Sequence, residues 1–175
     1  MSARKRRLRW PQELEQLRGG YAKYAAANGA ADFVSALVLN TTYYLGLLAL
    51  ACDAADASAD ARGYLDAAID AAALTGERWF DPELHRLKGE WLLRHAPGEE
   101  VQAETAFRQA IGLAAQQGAL LWELRASLGL ARVHLARGDP DQARETLAPI
   151  YARFSEGLGW PDLQQAAVLL DSLST

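Results

Sequence analysis

The sequence predicts an all-α fold of about eight antiparallel helices stacked as hairpins, and three observations lead there. Alanine, leucine, glutamine, arginine and glutamate, the strong helix formers, dominate, and the period-two alternation of a half-buried strand never lasts. Proline and glycine fall where helices open and close. Finally, residues 83–110 match residues 123–150 when the chain is shifted by 40 positions.

The helix boundaries can be taken in order. Pro11 opens a helix over 11–28, whose stripe of Leu14, Leu17, Tyr21 and Tyr24 has helical spacing and which Asn28-Gly29 closes. An uncharged run supports a helix over 31–52, and a further helix over 59–75 ends at Thr75-Gly76. Asp81-Pro82 opens 82–95, since proline in a first turn gives up an N–H that has no partner there anyway. Gly98 marks a short loop before 99–117, and Gln117-Gly118 separates that helix from 120–137. Asp139-Pro140 opens 140–156, which Glu156-Gly157 closes, and Pro149 inside it predicts a bend. Trp160-Pro161 opens a last helix over 161–173. Its leucines and alanines alternate with Asp162, Gln164, Gln165 and Asp171, a pattern suited to covering the exposed end of a stack.

Loops of two to five residues force consecutive helices into antiparallel pairs. The shift of 40 brings Glu83 onto Glu123, Leu84 onto Leu124, Gly89 onto Gly129, Gly98 onto Gly138, Gln102 onto Gln142, Ala103 onto Ala143, Phe107 onto Leu147 and Ala110 onto Ile150. Small residues at the glycine and alanine positions let backbones approach, while Phe107 and Leu147 fill the space between hairpins. A weaker match, at an offset of 42, places Ala61, Leu65 and Ala68 where Ala103, Phe107 and Ala110 stand.

The small-large-small series Ala103, Phe107, Ala110, preceded by Gly89 in the partner helix, resembles the tetratricopeptide repeat pattern with a slightly longer loop. Whole phrases carry a second resemblance: Thr-Gly-Glu-Arg-Trp at 75–79, Glu-Leu-His-Arg-Leu-Lys-Gly-Glu at 83–90, Ala-Phe-Arg-Gln-Ala-Ile at 106–111, Glu-Leu-Arg-Ala-Ser-Leu at 123–128 and Pro-Asp-Leu-Gln-Gln-Ala at 161–166. Together they look like the C-terminal helical-repeat region of large bacterial signalling proteins. In those proteins an adenylate cyclase or winged-helix DNA-binding domain precedes a nucleotide-binding ATPase module and then tetratricopeptide-like repeats. The resemblance covers residues 60–175, and 12–59 more faintly; the basic first ten residues and Asn40-Thr41-Thr42 have no counterpart in it. It implies a right-handed solenoid over 11–175, capped by 161–173, in a protein-binding or regulatory module of a signalling or transcription system, and the lone Cys52, with no sign of an oxidising compartment, reads as cytoplasmic. It carries no catalytic residue onto this chain.

Composition narrows the function classes. At 175 residues, half of them apolar and 23% charged, the chain can bury a core without disulfide or metal staples. Its single cysteine, Cys52, excludes an internal disulfide. Arg4, Lys5, Arg6, Arg7 and Arg9 give residues 1–10 five positive charges while the whole chain stands at −4, so the remainder is acidic. That body is a poor surface for nucleic acid; only the basic tail, which reads as flexible, offers a weak route to it. Phe33 to Cys52 is uncharged and about long enough to span a bilayer, but Ser35, Asn40, Thr41 and Thr42 would each need a polar partner in hydrocarbon. A buried helix of a soluble protein accounts for it better.

No glycine-rich phosphate loop is present, and His85, His95 and His134 lack metal-ligand spacing, so the expectation is no catalytic residue, no metal and no cofactor. Glu83, Arg86, Glu90 and Arg94 follow a stagger of three to four residues, which sets opposite charges beside one another on one helix face. Such a stripe is either a solvated ion-pair face or the polar lining of a concave groove. The groove reading proposes Asn40, Tyr43, Glu83, Arg86, Glu90, Arg94, Glu123 and His134 as contacts for a protein or peptide partner, with homo-oligomerisation left open. Trp79, Trp91, Trp122 and Trp160 read as core residues. Two alternatives stand beside this reading: a trans-acting part or fragment of a nucleotide-dependent cyclase or ATPase regulator, and a small-molecule sensor.

Overall fold

The computed structural model describes residues 40–173, and every described element is an α-helix. Two compact units part between Glu77 and Arg78. The basic tail, the helix expected over 11–28 and residues 31–39 of the one expected over 31–52 lie outside the described residues.

In the first unit, α1 (Thr41–Ala54) and α2 (Ser58–Thr75) form a hairpin around buried Leu45, Leu48, Ala49 and Cys52 on one helix and Ala61, Leu65, Ala68 and Ala72 on the other. Asn40 stands outside α1 as its N-cap, with φ −156° and no side-chain capping bond, so the helix expected over 31–52 is not continuous through it. A carboxylate just past the C-terminus of α2 serves the first turn of α1 instead: the buried Thr42 N–H donates to Glu77 Oε2 at 3.4 Å. Gly76, at φ 74°, closes α2 in the left-handed conformation.

The second unit holds α3 (Asp81–His95), α4 (Glu100–Gln117), α5 (Leu120–Ala136), α6 (Pro140–Tyr151) and α7 (Pro161–Ser172). Each helix packs on the next, and in addition α3 packs on α5 and α5 on α7. The first members of successive hairpins therefore form one layer, with α4 and α6 on the other side of the pairs. Pro140 and Pro161 sit in first turns as expected, and the Asp139 carboxylate accepts the Gln142 N–H at 3.1 Å to cap α6.

One aromatic ring links the first two hairpins of the second unit. Phe107 of α4 is fully buried, and a Cβ added at Gly89 of α3 would lie 2.9 Å from the ring while one at Gly129 of α5 would lie 2.3 Å from it. The ring is seated between two helix backbones that only glycine brings so close. The matched pairs Leu84 and Leu124, Ala103 and Ala143, and Phe107 and Leu147 are all fully buried. A second cluster, Leu124, Leu128, Ala131, Ala143, Leu147, Leu163 and Ala166, ties α5, α6 and α7 together.

Two expectations are corrected. The helix over 140–156 stops at Tyr151: Pro149 has no N–H for the carbonyl of Glu145, so it ends the helix within a turn instead of bending a longer one. Gly157, at φ 68°, then shapes the turn under Trp160. Of the four tryptophans read as core, Trp91 is buried, but Trp79 is 43% exposed and Trp160 59% exposed. Both precede their helices, where a large ring covers a helix end from one side only.

Candidate functional site

The layer of α3, α5 and α7 carries a connected set of charges. It starts at Glu83 in the first turn of α3, where the positive end of the helix dipole favours a carboxylate. Arg86, one turn on, grips Glu83 with a two-pronged fork, Nε to Oε2 at 2.8 Å and Nη2 to Oε1 at 2.8 Å. Its remaining Nη1 donates to Glu90. Arg94 reaches the same residue, Nε donating to the Glu90 carbonyl at 3.3 Å and Nη2 lying 3.8 Å from its carboxylate.

The network then leaves α3. Arg125 of α5 places Nη1 2.8 Å from Glu83 Oε1 and Nε 3.6 Å from Asp162 Oδ1 on α7, so one side chain joins the first helices of all three hairpins. A separate pair, Arg153 Nη1 to Glu123 Oε2 at 2.7 Å, ties the turn after α6 back to the first turn of α5. Arg132 of α5 donates to Gln165 Oε1 of α7 at 2.9 Å.

Burial sorts these groups into supports and contacts. Glu83 and Arg86 are each 5% exposed and Glu123 4%, so their charges are spent inside the fold. Burial alone lowers the proton affinity of Arg86, but the hydrogen bond and charge of Glu83, with Glu90 and Asp162 nearby, more than offset that and hold the guanidinium above its ordinary range. Glu90, Arg125 and Asp162 are about one-third exposed, and Arg94 is half exposed; these four reach solvent.

The remaining proposed contacts are His134 of α5 and, in the first unit, Asn40 and Tyr43. His134 is buried at the C-terminal end of α5, where its backbone carbonyl accepts from Arg137 and Asp139. Asn40 is exposed and Tyr43 half-buried in the first unit, Tyr43 meeting Tyr44 edge-to-face at 5.6 Å. The structure thus joins Glu83, Arg86, Glu90 and Arg94 as the sequence spacing implies and adds Arg125 and Asp162, which sequence reasoning missed. A signal for the acid existed: Pro82-Glu83-Leu84, Trp122-Glu123-Leu124 and Pro161-Asp162-Leu163 each set an acid before a buried leucine in a first turn.

His85, on the same helix, has no group to orient it as a base: its Nδ1 is buried without a hydrogen-bond partner. Burial pushes its proton affinity down against the pull of Asp81, and Lys88 and Arg78 push the same way as burial. Among the described residues no cluster of three or more histidine, cysteine or acidic side chains could hold a metal ion, and no helix is long and apolar enough to cross a membrane. Comparison with protein-family models, curated proteins and solved structures finds no match to this chain.

Proposed function

We propose that the chain is a tetratricopeptide-like, right-handed solenoid of helical hairpins, acting as a non-catalytic protein-binding or regulatory module of a bacterial signalling or transcription system in the cytoplasm. The observation that carries the binding half is the α3–α5–α7 layer, in which a buried ion-pair frame holds Glu90, Arg94, Arg125 and Asp162 at the surface. A rigid polar face made of successive first helices suits an extended or helical segment of another protein. Charged groups held in fixed positions at that face support a docking reading. The bacterial signalling half rests on the resemblance of the phrases at 75–79, 83–90, 106–111, 123–128 and 161–166.

The test is affinity capture from a bacterial lysate with the wild-type chain and with Glu90→Gln/Arg94→Gln, followed by binding of each captured protein in purified form. Both substitutions lie at the surface end of the network, so helical content stays unchanged. The reading expects a partner that the variant loses; identical capture by both forms contradicts it. Turnover of a nucleoside triphosphate by the purified chain would contradict the non-catalytic half.

A further inference from the structure

Along α5, Arg125 and Arg132 stand seven residues apart, two turns on nearly one stripe and roughly 10 Å along the helix axis. Both lean toward α7, Arg125 to Asp162 and Arg132 to Gln165. A guanidinium has five N–H donors in a fixed fork, and neither residue uses its full set. Arg125 shares Glu83 Oε1 with Arg86, which already grips both oxygens of that carboxylate, and its second contact, to Asp162, is long at 3.6 Å. Arg132 is exposed and bonds a neutral amide oxygen, and no carboxylate of the described residues lies within ion-pair range of it. Arg78, Arg86, Arg108, Arg137 and Arg153, by contrast, each end on a carboxylate of this chain.

We propose that Arg125 and Arg132 form a two-point receptor for carboxylates, so that the partner of the α3–α5–α7 face is an acidic segment of another protein. This rests on the protein-binding reading above and names the chemistry of its partner. The spacing favours two acidic side chains three residues apart in a polyproline II segment, where three residues complete one turn, return to the same side and advance roughly 9 Å. Spare donors give the attraction: Arg132 exchanges its amide partner for a carboxylate, and Arg125 exchanges a long ion pair for a short one.

The experiment is fluorescence anisotropy of the full chain with three labelled synthetic peptides. One carries two glutamates three positions apart in a serine and alanine background; the others replace both glutamates with glutamine or with lysine. The acidic peptide binds, the other two bind about tenfold more weakly or not at all, and added salt weakens the acidic one. Arg132→Gln reduces acidic-peptide affinity about tenfold, and Arg108→Gln, on α4 at the other side of the hairpin pairs, leaves it unchanged. Absence of acidic-peptide binding, equal binding of all three, or an Arg132→Gln chain that binds like wild type overturns the assignment. A captured partner that binds the Arg132→Gln chain as tightly as wild type also overturns it, while leaving the protein-binding reading in place.

Discussion

Replacing Gly129 with alanine adds one methyl group where, of the glycines of the second unit, a Cβ meets the closest neighbour. The new Cβ would stand 2.3 Å from Phe107 Cε1, 2.7 Å from Cζ and 2.8 Å from Cδ1, all inside the 3.0 Å that real Cβ contacts essentially never cross. The ring cannot retreat, because it is fully buried and Gly89 lies close on its other side. Overpacking of this kind costs typically 1–3 kcal/mol, and the contact depth puts this site near the top of that range. Alanine returns about 1 kcal/mol as the better helix former. The net is a loss of about 2 kcal/mol, or a melting temperature lower by roughly 4–8 °C for a chain of this size. Gly89→Ala, whose contacts are all at 2.9 Å, should come out near neutral, the helix gain offsetting a shallower clash. In a Phe107→Leu background the penalty at 129 should largely vanish, a coupling of roughly 1.5–2 kcal/mol by double-mutant cycle. Tryptophan fluorescence in urea is the assay, because four of the five tryptophans, Trp79, Trp91, Trp122 and Trp160, lie in the second unit. A Gly129→Ala chain at least as stable as wild type, or a penalty that persists without the Phe107 ring, would refute the reasoning.

Further outcomes follow from the charged frame and the caps. Arg86→Ala strips the fork from buried Glu83 but leaves it Arg125, so it should cost about 2–3 kcal/mol in urea unfolding; Arg86→Lys should recover little, since a single ammonium cannot make the paired bonds. His85 is held below its ordinary proton affinity by burial, so the unfolded chain binds more protons than the folded one at mildly acidic pH. Its contribution is therefore complete above about pH 6.5 and is lost as pH falls below that; urea midpoints at pH 7.5 and 5.5 should differ less in His85→Gln than in wild type. Asp139→Ala removes the cap of α6 and should cost about 1 kcal/mol, read as a lower melting temperature with unchanged partner binding.

Local rules made most helix ends legible. Gly76 and Gly118 close their helices at positive φ, and Pro82, Pro140 and Pro161 stand in first turns, because these residues impose backbone conformations whatever their surroundings. The seat of Phe107 was also readable, since glycines 40 positions apart in paired helices leave room for one large ring. The same rules misjudged Pro149: a proline in a helix removes one bond, and whether the helix bends or stops depends on what holds the next turn. Here Arg153, anchored on Glu123, belongs to a turn and not to a continued helix. The stagger of Glu83, Arg86, Glu90 and Arg94 gave the pairs within α3, but spacing along one helix does not reveal depth, and two of the four lie inside the fold. Arg125 was invisible for a related reason: its partners Glu83 and Asp162 are 42 and 37 residues away, and only helix packing brings them together.

The ring of Phe107 offers the most direct measurement. In a proton NOE spectrum of the chain with isotope-labelled phenylalanine and glycine, stacked hairpins predict cross-peaks from this one ring to the α-protons of both Gly89 and Gly129. Cross-peaks to one glycine alone, or to neither, would show that the first two hairpins of the second unit do not share a core, and the polar layer built on α3, α5 and α7 would fall with it.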